Sequence, residues 1–568
     1  MAPRSFDNRD SSWAACDSPL CQTGAPVMVG TLLEATVKTF LDDRFKLEPV
    51  AATIMGNHSH DHRLGDLTAD GFAARSEFTE DWLRRFVGMG EESLDPYQKV
   101  DRALVLTELR GEHALQPFER WRRQPSLYSD LITRGAYYIL LRGYSGPEDR
   151  LAMLAERLAE APAALDAARA NLDPARVPPE WIAIAERTAP AGAAFLRDEL
   201  PKSLPDTSLG RIVGRALLPA ANAAADALDR YVAWLRADLL PKARGTFAIG
   251  RETFEALLKE KELLDHDASS LRAYGEELFR ETETKIAEAA RALGDDDWRD
   301  SVARLRRDHP EADQLVNTYR VEMERSREAV RLSSIASIPY GEDLAVETMP
   351  DFQRTTYPYA AYVAAAPFEA NRRGRFWVTL PMADDDERTR RERLEGHPRA
   401  GIPVIACHEG YPGHHLQLTY AADNASLARK ALRSNLMVEG WGLYVEELMT
   451  EIGFLDSPET RLLRLKDLLW RAARVVVDVG LATGEMTFDE AVAYMVERPK
   501  LEPPNAIAEV RRYTLTPTQP SSYALGREAI LALRDKARAK GWGMRFFHDK
   551  LLGAGSLPPK LLARDVDL

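Results

Sequence analysis

Apolar residues recur at helical spacing along most of the chain. Leu32, Leu33, Val37, Phe40 and Leu41 mark the first such face. Segments 149–172 and 269–294 are rich in Ala, Leu and Glu with apolar positions on one side, and proline-bearing stretches such as 200–206 separate successive helices. No fixed-period repeat is present, so a solenoid is not supported. The pattern changes near residue 338. Ile338-Pro-Tyr-Gly, Met349-Pro and Tyr357-Pro-Tyr interrupt helices, and the aromatic, β-branched run Phe376-Trp377-Val378-Thr379-Leu380 predicts a short strand ended by Pro381. The charged run 383–399 reads as a solvated loop or lid. Helical signals then return. Ser457 followed by Pro458 is an N-cap with proline at the first helical position. Thr487 with Glu490 is a capping-box pattern. Further helices are expected over roughly 522–540 and 544–553. The fold class is mainly α, with a small β element just before the segment discussed next. Residues 1–28, polar and rich in Ser and Asp, are expected to form a disordered leader. A helical region over 29–335 and a second region over 336–568 are expected to form one interlocked body.

Composition narrows the function classes. The 568 residues carry a formal net charge of −13, which argues against nucleic acid or an anionic membrane as partner, since both need a basic footprint. No run of about eighteen apolar residues occurs, and the N-terminal stretch has no apolar segment suited to a signal sequence. Cytoplasmic residence is the expectation. Three cysteines, Cys16, Cys21 and Cys407, are too few for a closed disulfide framework. Cys407 reads as a small apolar core residue.

The chemistry concentrates at His408-Glu409-Gly-Tyr-Pro412-Gly413-His414-His415. An apolar stretch, Gly401–Cys407, leads into it and suits a buried helix. Zinc takes imidazole and carboxylate ligands and, in catalytic sites, leaves one position for water. In an HExxH helix two histidines four apart share a face, and the Glu beside the first can act on the bound water. This chain departs from that spacing. On an undisturbed helix His414 would point away from His408, while His415 would share its face but lie about 10.5 Å along the axis. Pro412 also clashes with the carbonyl of residue 408. The helix must bulge here. Looping out two residues returns His414 to the i+4 position, and looping out three returns His415; the smaller distortion favours His414, with His415 as the alternative. Downstream, Asn435-Leu-Met-Val-Glu439-Gly-Trp-Gly-Leu-Tyr444-Val-Glu446-Glu447 is an apolar helix with a single acid in its first half. Glu439 is therefore the candidate third ligand, and Glu446 and Glu447 read as surface residues or as supports for the ligands.

At these residues the chain resembles a bacterial family predicted to be metallopeptidases and long filed as a domain of unknown function. Its members carry HE-x-x-PGHHLQ followed by EGWxLYxE; here these read His408–Gln417 and Glu439–Glu446. A more distant likeness reaches the gluzincins, the HExxH zinc peptidases of the thimet-oligopeptidase, angiotensin-converting and thermostable-carboxypeptidase types. Their HE-x-GH core can be laid on His408-Glu409 and Gly413-His414, and Ser522-Tyr523-Ala-Leu-Gly526 is similar to a YxLG segment of the carboxypeptidase type. The resemblance implies a helical, zincin-like clamshell with a deep cleft, Phe376–Leu380 as an edge strand along the substrate, and Tyr523 as donor to the oxyanion. It also implies Arg372, Arg375 or Arg512 as partners of a substrate carboxylate. Arg474 and Asp478, four apart, are expected to form a helical ion pair. Two departures stand out: Gly480-Leu481-Ala482 where the family has Gly-Leu-His, and Pro517-Thr518-Gln519 where it has Pro-Gly-Gln.

These readings combine into a zinc-dependent hydrolase of peptide or amide bonds, a carboxypeptidase, dipeptidase or oligopeptidase. Zn2+ is held by His408, His414 and Glu439, Glu409 is the proton base, and Tyr523 stabilises the oxyanion. Hydrolysis of a small-molecule amide or ester is the alternative. A helical binding protein with structural histidines is the remote one. The oligomeric state is open, a homodimer included.

Overall fold

The computed structural model describes residues 32–350, 353–354, 357, 359–382 and 385–568. The expected leader, with Cys16 and Cys21, lies outside the described residues. The described chain is mainly α. Its first helix, Leu32–Leu47, buries Leu33, Val37, Phe40 and Leu41, the face that the spacing predicts. The segment 149–172 forms two helices, Pro147–Ala159 and Ala161–Asn171. The reason is Pro162, which lacks an N–H and whose ring opposes the carbonyl four residues back. Helix Ala268–Ala292 is continuous and opens on a capping box at Asp267. The caps at Ser457 and Thr487 form as expected. One hydrophobic cluster runs from Leu33 and Phe40 through Trp441 to Leu562 and Val566, so the first and last helices share a core. Among the described residues no helix is long and apolar enough to cross a membrane.

The β element is a three-stranded sheet of β1 (Asp343–Thr348), β2 (Ala360–Val363) and β3 (Arg373–Val378), in the order β1-β3-β2. β3 pairs parallel with β1 and antiparallel with β2. This corrects the strand expected over Phe376–Leu380 on two points. The strand begins three residues earlier, at Arg373, and it is central rather than an edge. Consecutive burial of Phe376, Trp377 and Val378 explains the central place, because a strand covered on both faces reads as an unbroken apolar run. Its polar start escapes the pattern because Arg373 and Arg375 are paired across to Asp343 and Glu347 on β1. The charged run after it is also not simply a loop. Glu387–Leu394 is a short helix capped by Asp386, whose carboxylate accepts from the Thr389 N–H at 2.7 Å; residues 383 and 384 lie outside the described residues.

The helices that build the candidate site are α1 (Ala312–Ser333), α2 (Ile402–Glu409), α3 (His414–Asp423), α4 (Asn435–Glu451), α5 (Pro458–Thr483), α6 (Pro503–Leu515) and α7 (Gln519–Ala539). α4 and α7 cross with no side chain between them. A Cβ on Gly440 would lie 2.4 Å from the Cα and carbonyl carbon of Gly526, and one on Gly526 would lie 1.9 Å from the carbonyl oxygen of Leu436. Real Cβ contacts are never that short, so both positions require glycine.

Candidate metal centre

The bulge expected in the HEGYPGHH segment is a complete break. α2 stops at Glu409, the chain turns through Gly410–Gly413 with a cis Tyr411–Pro412 bond, and α3 starts at His414. Proline at 412 supplies no N–H to continue α2. Gly413 then passes over the end of α2 so closely that a Cβ there would sit 1.9 Å from the carbonyl oxygen of His408. The turn is held from outside. The Trp441 indole N–H on α4 donates to the carbonyl of Pro412 at 2.7 Å.

The break brings His408, at the end of one helix, against His414, at the start of the next; their ring centroids are 4.7 Å apart. Donor atoms of His408, Glu409 and His414 all lie within 4.8 Å of one another, the one such His/Cys/Asp/Glu grouping among the described residues. Glu439 joins from α4, with Oε2 3.4 Å from Nε2 of His414. His408 is oriented from behind. Its Nδ1–H donates to Glu446 at 2.8 Å, and Glu446 is 2% exposed, so Nε2 is left to face the site. Gly442 lies flat under the ring, where a Cβ would stand 2.7 Å from Nε2. Glu439, Gly442 and Glu446 fall at i, i+3 and i+7 of α4 and so share one face. That spacing was the available signal for Glu446 and Gly442.

His415 is differently placed. Its Nε2–H donates to Glu342 at 2.8 Å, the Tyr362 hydroxyl of β2 donates to its Nδ1 at 3.0 Å, and the ring is fully buried. Both nitrogens are thus engaged by protein groups. Gly374 on β3 makes room for this contact, since a Cβ there would lie 2.7 Å from Nδ1 of His415. Glu342 also accepts from Tyr411 and from Arg327 of α1. Burial alone would push its carboxyl up, but the bonds from His415, Tyr411 and Arg327 outweigh it and hold the carboxyl at about 2.

The charges at the centre are mutually supporting. Burial acts to raise the Glu439 carboxyl, yet the neighbouring His414 ring, with His408 and the Tyr523 hydroxyl, brings it down to about 2. His414 shifts upward: burial opposes its charged form and is outweighed by Glu439 and Glu409. Tyr523, on α7, stacks near-parallel to His408 with centroids 6.4 Å apart. Burial and the nearby Glu439 raise its phenol, against the pull of Arg474, Arg512 and Arg471.

Gln519 extends the site outward. Its amide N–H donates to Glu439 Oε1 at 3.2 Å and its carbonyl accepts from Arg512 at 3.1 Å. Arg512 in turn pairs with Glu509 at 2.7 Å. Of the three arginines considered for substrate, Arg512 is therefore linked to the centre through Gln519. Arg372 is paired with Asp423 at 2.6 Å, and Arg375 with Glu347 at 3.4 Å. The expected ion pair between Arg474 and Asp478 does not form. Arg474 donates to the Tyr513 hydroxyl at 2.8 Å and to Glu509 at 3.2 Å, while Asp478 accepts from Ser521 and Thr518. Ala482, which stands where the resembled family carries a histidine, packs in an apolar cluster with Leu436, Val479 and Ala524. Cys407 is a buried free thiol, as expected of a core residue.

A family model described as bacterial protein of unknown function (DUF885) matches residues 49–566. No curated protein matches the chain. Among solved structures, a candidate lipoprotein of unknown function from Shewanella oneidensis superposes with a TM-score of 0.77 at 23% identity, over 94% of this chain and 99% of the other. A candidate lipoprotein from Colwellia psychrerythraea gives 0.77 at 19% identity, over 94% and 98%. At these identities the likeness speaks for the fold alone. A carboxypeptidase from Pyrococcus furiosus aligns at a TM-score of 0.37 and 13% identity over 93% and 91%, too loosely for any argument.

Proposed function

The chain belongs to this bacterial DUF885 family of unknown function, and from that premise and the geometry of its centre we propose that it is a zinc-dependent hydrolase of peptide or amide bonds. The observation that carries the reading is the His414–Glu439 separation. At 3.4 Å it is longer than a good N–H···O hydrogen bond. It equals the spacing of roughly 3.4 Å expected between two donors that each bind one tetrahedral ion at about 2.0–2.2 Å. His408 offers a third donor, Nε2, because Glu446 occupies its other nitrogen. A carboxylate behind a ligating histidine is the usual way in which such a ring is oriented. His415, with both nitrogens engaged, is left out of the ligand set. His408, His414 and Glu439 would hold the ion, and imidazole with carboxylate favours zinc.

When bound, the ion would supply Lewis acidity toward the scissile carbonyl and its attacking water. Glu409 is adjacent, within the same 4.8 Å grouping. Its carboxylate takes the proton of the attacking water and passes it to the leaving amine. Tyr523 presents its hydroxyl beside Glu439, where it donates to the developing oxyanion. The substrate class proposed is a peptide or a small amide. A cytoplasmic location remains part of the proposal, to be checked by cell fractionation.

Glu409→Gln should keep stoichiometric metal and lose about 10²–10⁴-fold in turnover, whereas Glu439→Gln should lose metal. Unchanged turnover in Glu409→Gln removes the proposed base. Purified protein without metal, indifferent to chelators, would overturn the hydrolase reading in favour of a helical binding protein.

A further inference from the structure

Two buried carboxylates outside the metal centre touch the beginnings of both helices that complete it. Glu262 is 4% exposed and Asp478 1%. Glu262 accepts from the hydroxyl of Ser434, the N-cap of α4, at 3.4 Å, and from the hydroxyl of Thr518, the N-cap of α7, at 3.2 Å. Asp478 accepts from the backbone N–H groups of Thr518 and Ser521 at 3.2 Å each, and from the Ser521 hydroxyl at 2.5 Å. α4 carries Glu439, and α7 carries Gln519 and Tyr523. Thr518 has φ +73°, a backbone region that favours glycine, and its N–H and hydroxyl are the atoms held by the two acids.

We infer that Glu262 and Asp478 are positioning residues of the proposed reaction: they pin the converging N-termini of α4 and α7, and so set where Tyr523 and Gln519 stand relative to Glu439. The inference rests on the hydrolase reading for its catalytic consequence, but not for its structural one. Helix N-termini favour negative charge, and an N-capping carboxylate satisfies N–H groups that the helix leaves unpaired. The Gly440–Gly526 crossing lies farther along the same two helices, so a shift at their starts is passed to Tyr523 without side chains to absorb it.

The arrangement predicts a pH dependence. Burial pushes the Asp478 carboxyl up to about 7, against the bonds from Ser521 and Thr518, and neighbouring Glu262 adds to the rise. Glu262 also shifts upward through burial and Glu108, opposed by Lys261, Thr518 and Ser434. Below about pH 7 Asp478 takes up a proton, loses the charge that faces α7, and accepts its three bonds less well.

The test compares Asp478→Asn and Glu262→Gln with the parent by amide hydrogen exchange of residues 518–523, metal content and pH–activity profile on a short peptide. Asp478→Asn should speed exchange across 518–523 at least tenfold at pH 8, keep stoichiometric zinc, lower kcat more than it raises KM, and lack the parent's acid limb near pH 7. Ser521→Ala, which removes one donor to Asp478, should show the same exchange pattern more weakly and covers the case in which Asp478→Asn does not fold. Exchange within twofold of the parent in the folded variants, or an acid limb unmoved by Asp478→Asn, overturns the inference. A parent that hydrolyses no amide defeats the hydrolase reading instead, and the exchange arm still decides the pinning role.

Discussion

Gly442→Ala tests the centre at the point of closest packing. The added Cβ would stand 2.7 Å from both Cε1 and Nε2 of His408, where ordinary contact begins at 3.4 Å. The imidazole must therefore back away by about 0.7 Å, several times the ±0.2 Å tolerance of a metal–ligand distance. It cannot slide freely, because Glu446 holds Nδ1 at 2.8 Å, and a hydrogen bond to a charged group is worth about 1.5–3 kcal/mol. Overpacking of this kind costs about 1–3 kcal/mol in stability. Disturbing a ligand's orientation costs about 10–100-fold in metal affinity. The assay is zinc per chain after dialysis against a buffered zinc series, with urea unfolding of the metal-free protein alongside. A folded Gly442→Ala protein that binds zinc as tightly as the parent would refute the placement of His408 Nε2 at the metal.

Three further outcomes are expected. His414→Ala should purify without stoichiometric zinc, while His415→Gln should keep it and lose about 1–3 kcal/mol of unfolding free energy; loss of metal from His415→Gln would reverse the ligand assignment. Glu342 has a folded carboxyl at about 2, below its reference of 4.5. Its ionised form therefore stabilises the fold fully above about pH 4.5, and that stability is lost as pH falls toward 2. Glu342→Gln should accordingly be less stable at pH 7 by about 2 kcal/mol after solvent screening, and the gap to the parent should narrow below about pH 4.5 and nearly close only by about pH 2 in urea titrations; a gap independent of pH would contradict this. Tyr523→Phe should retain zinc and lose about 10²-fold in kcat, measured on the same peptide as Glu409→Gln, with a parent-like kcat removing the phenol from the mechanism.

The helices were legible because their apolar faces repeat every three or four residues, and the caps at Ser457 and Thr487 because those signals are local. β1 and β2 were not, since β1 buries only Val346 of its six residues and the four of β2 are all half-buried, so neither makes a periodic run of its own. At the site, His408, Glu409 and Glu439 could be proposed from residue type and helical setting. How far α2 would yield at Pro412 could not, because the answer depends on Trp441 reaching the Pro412 carbonyl and on Gly413 lying against the end of α2. His415 looked like a rival ligand for the same reason. Its partners, Glu342 and Tyr362, stand 73 and 53 residues upstream. The Arg474–Asp478 pair failed because Tyr513, Glu509 and Ser521, from other helices, compete for the same groups.

The turn at Gly410–Gly413 has a consequence for how the centre comes into being. The turn and the histidine pair after it are restrained by Arg327 through Glu342, by Tyr362 at His415 and by Trp441, from segments that meet only in the assembled protein. A peptide spanning α2 and α3 contains three histidines and Glu409 but none of these restraints, and so should bind zinc no better than any histidine-bearing coil. Loading would therefore follow folding. Because the ion would then be bound by the native state and not by the unfolded chain, its binding energy would appear as resistance of the whole body to unfolding, about 2.7 kcal/mol at a free zinc concentration one hundred times the dissociation constant.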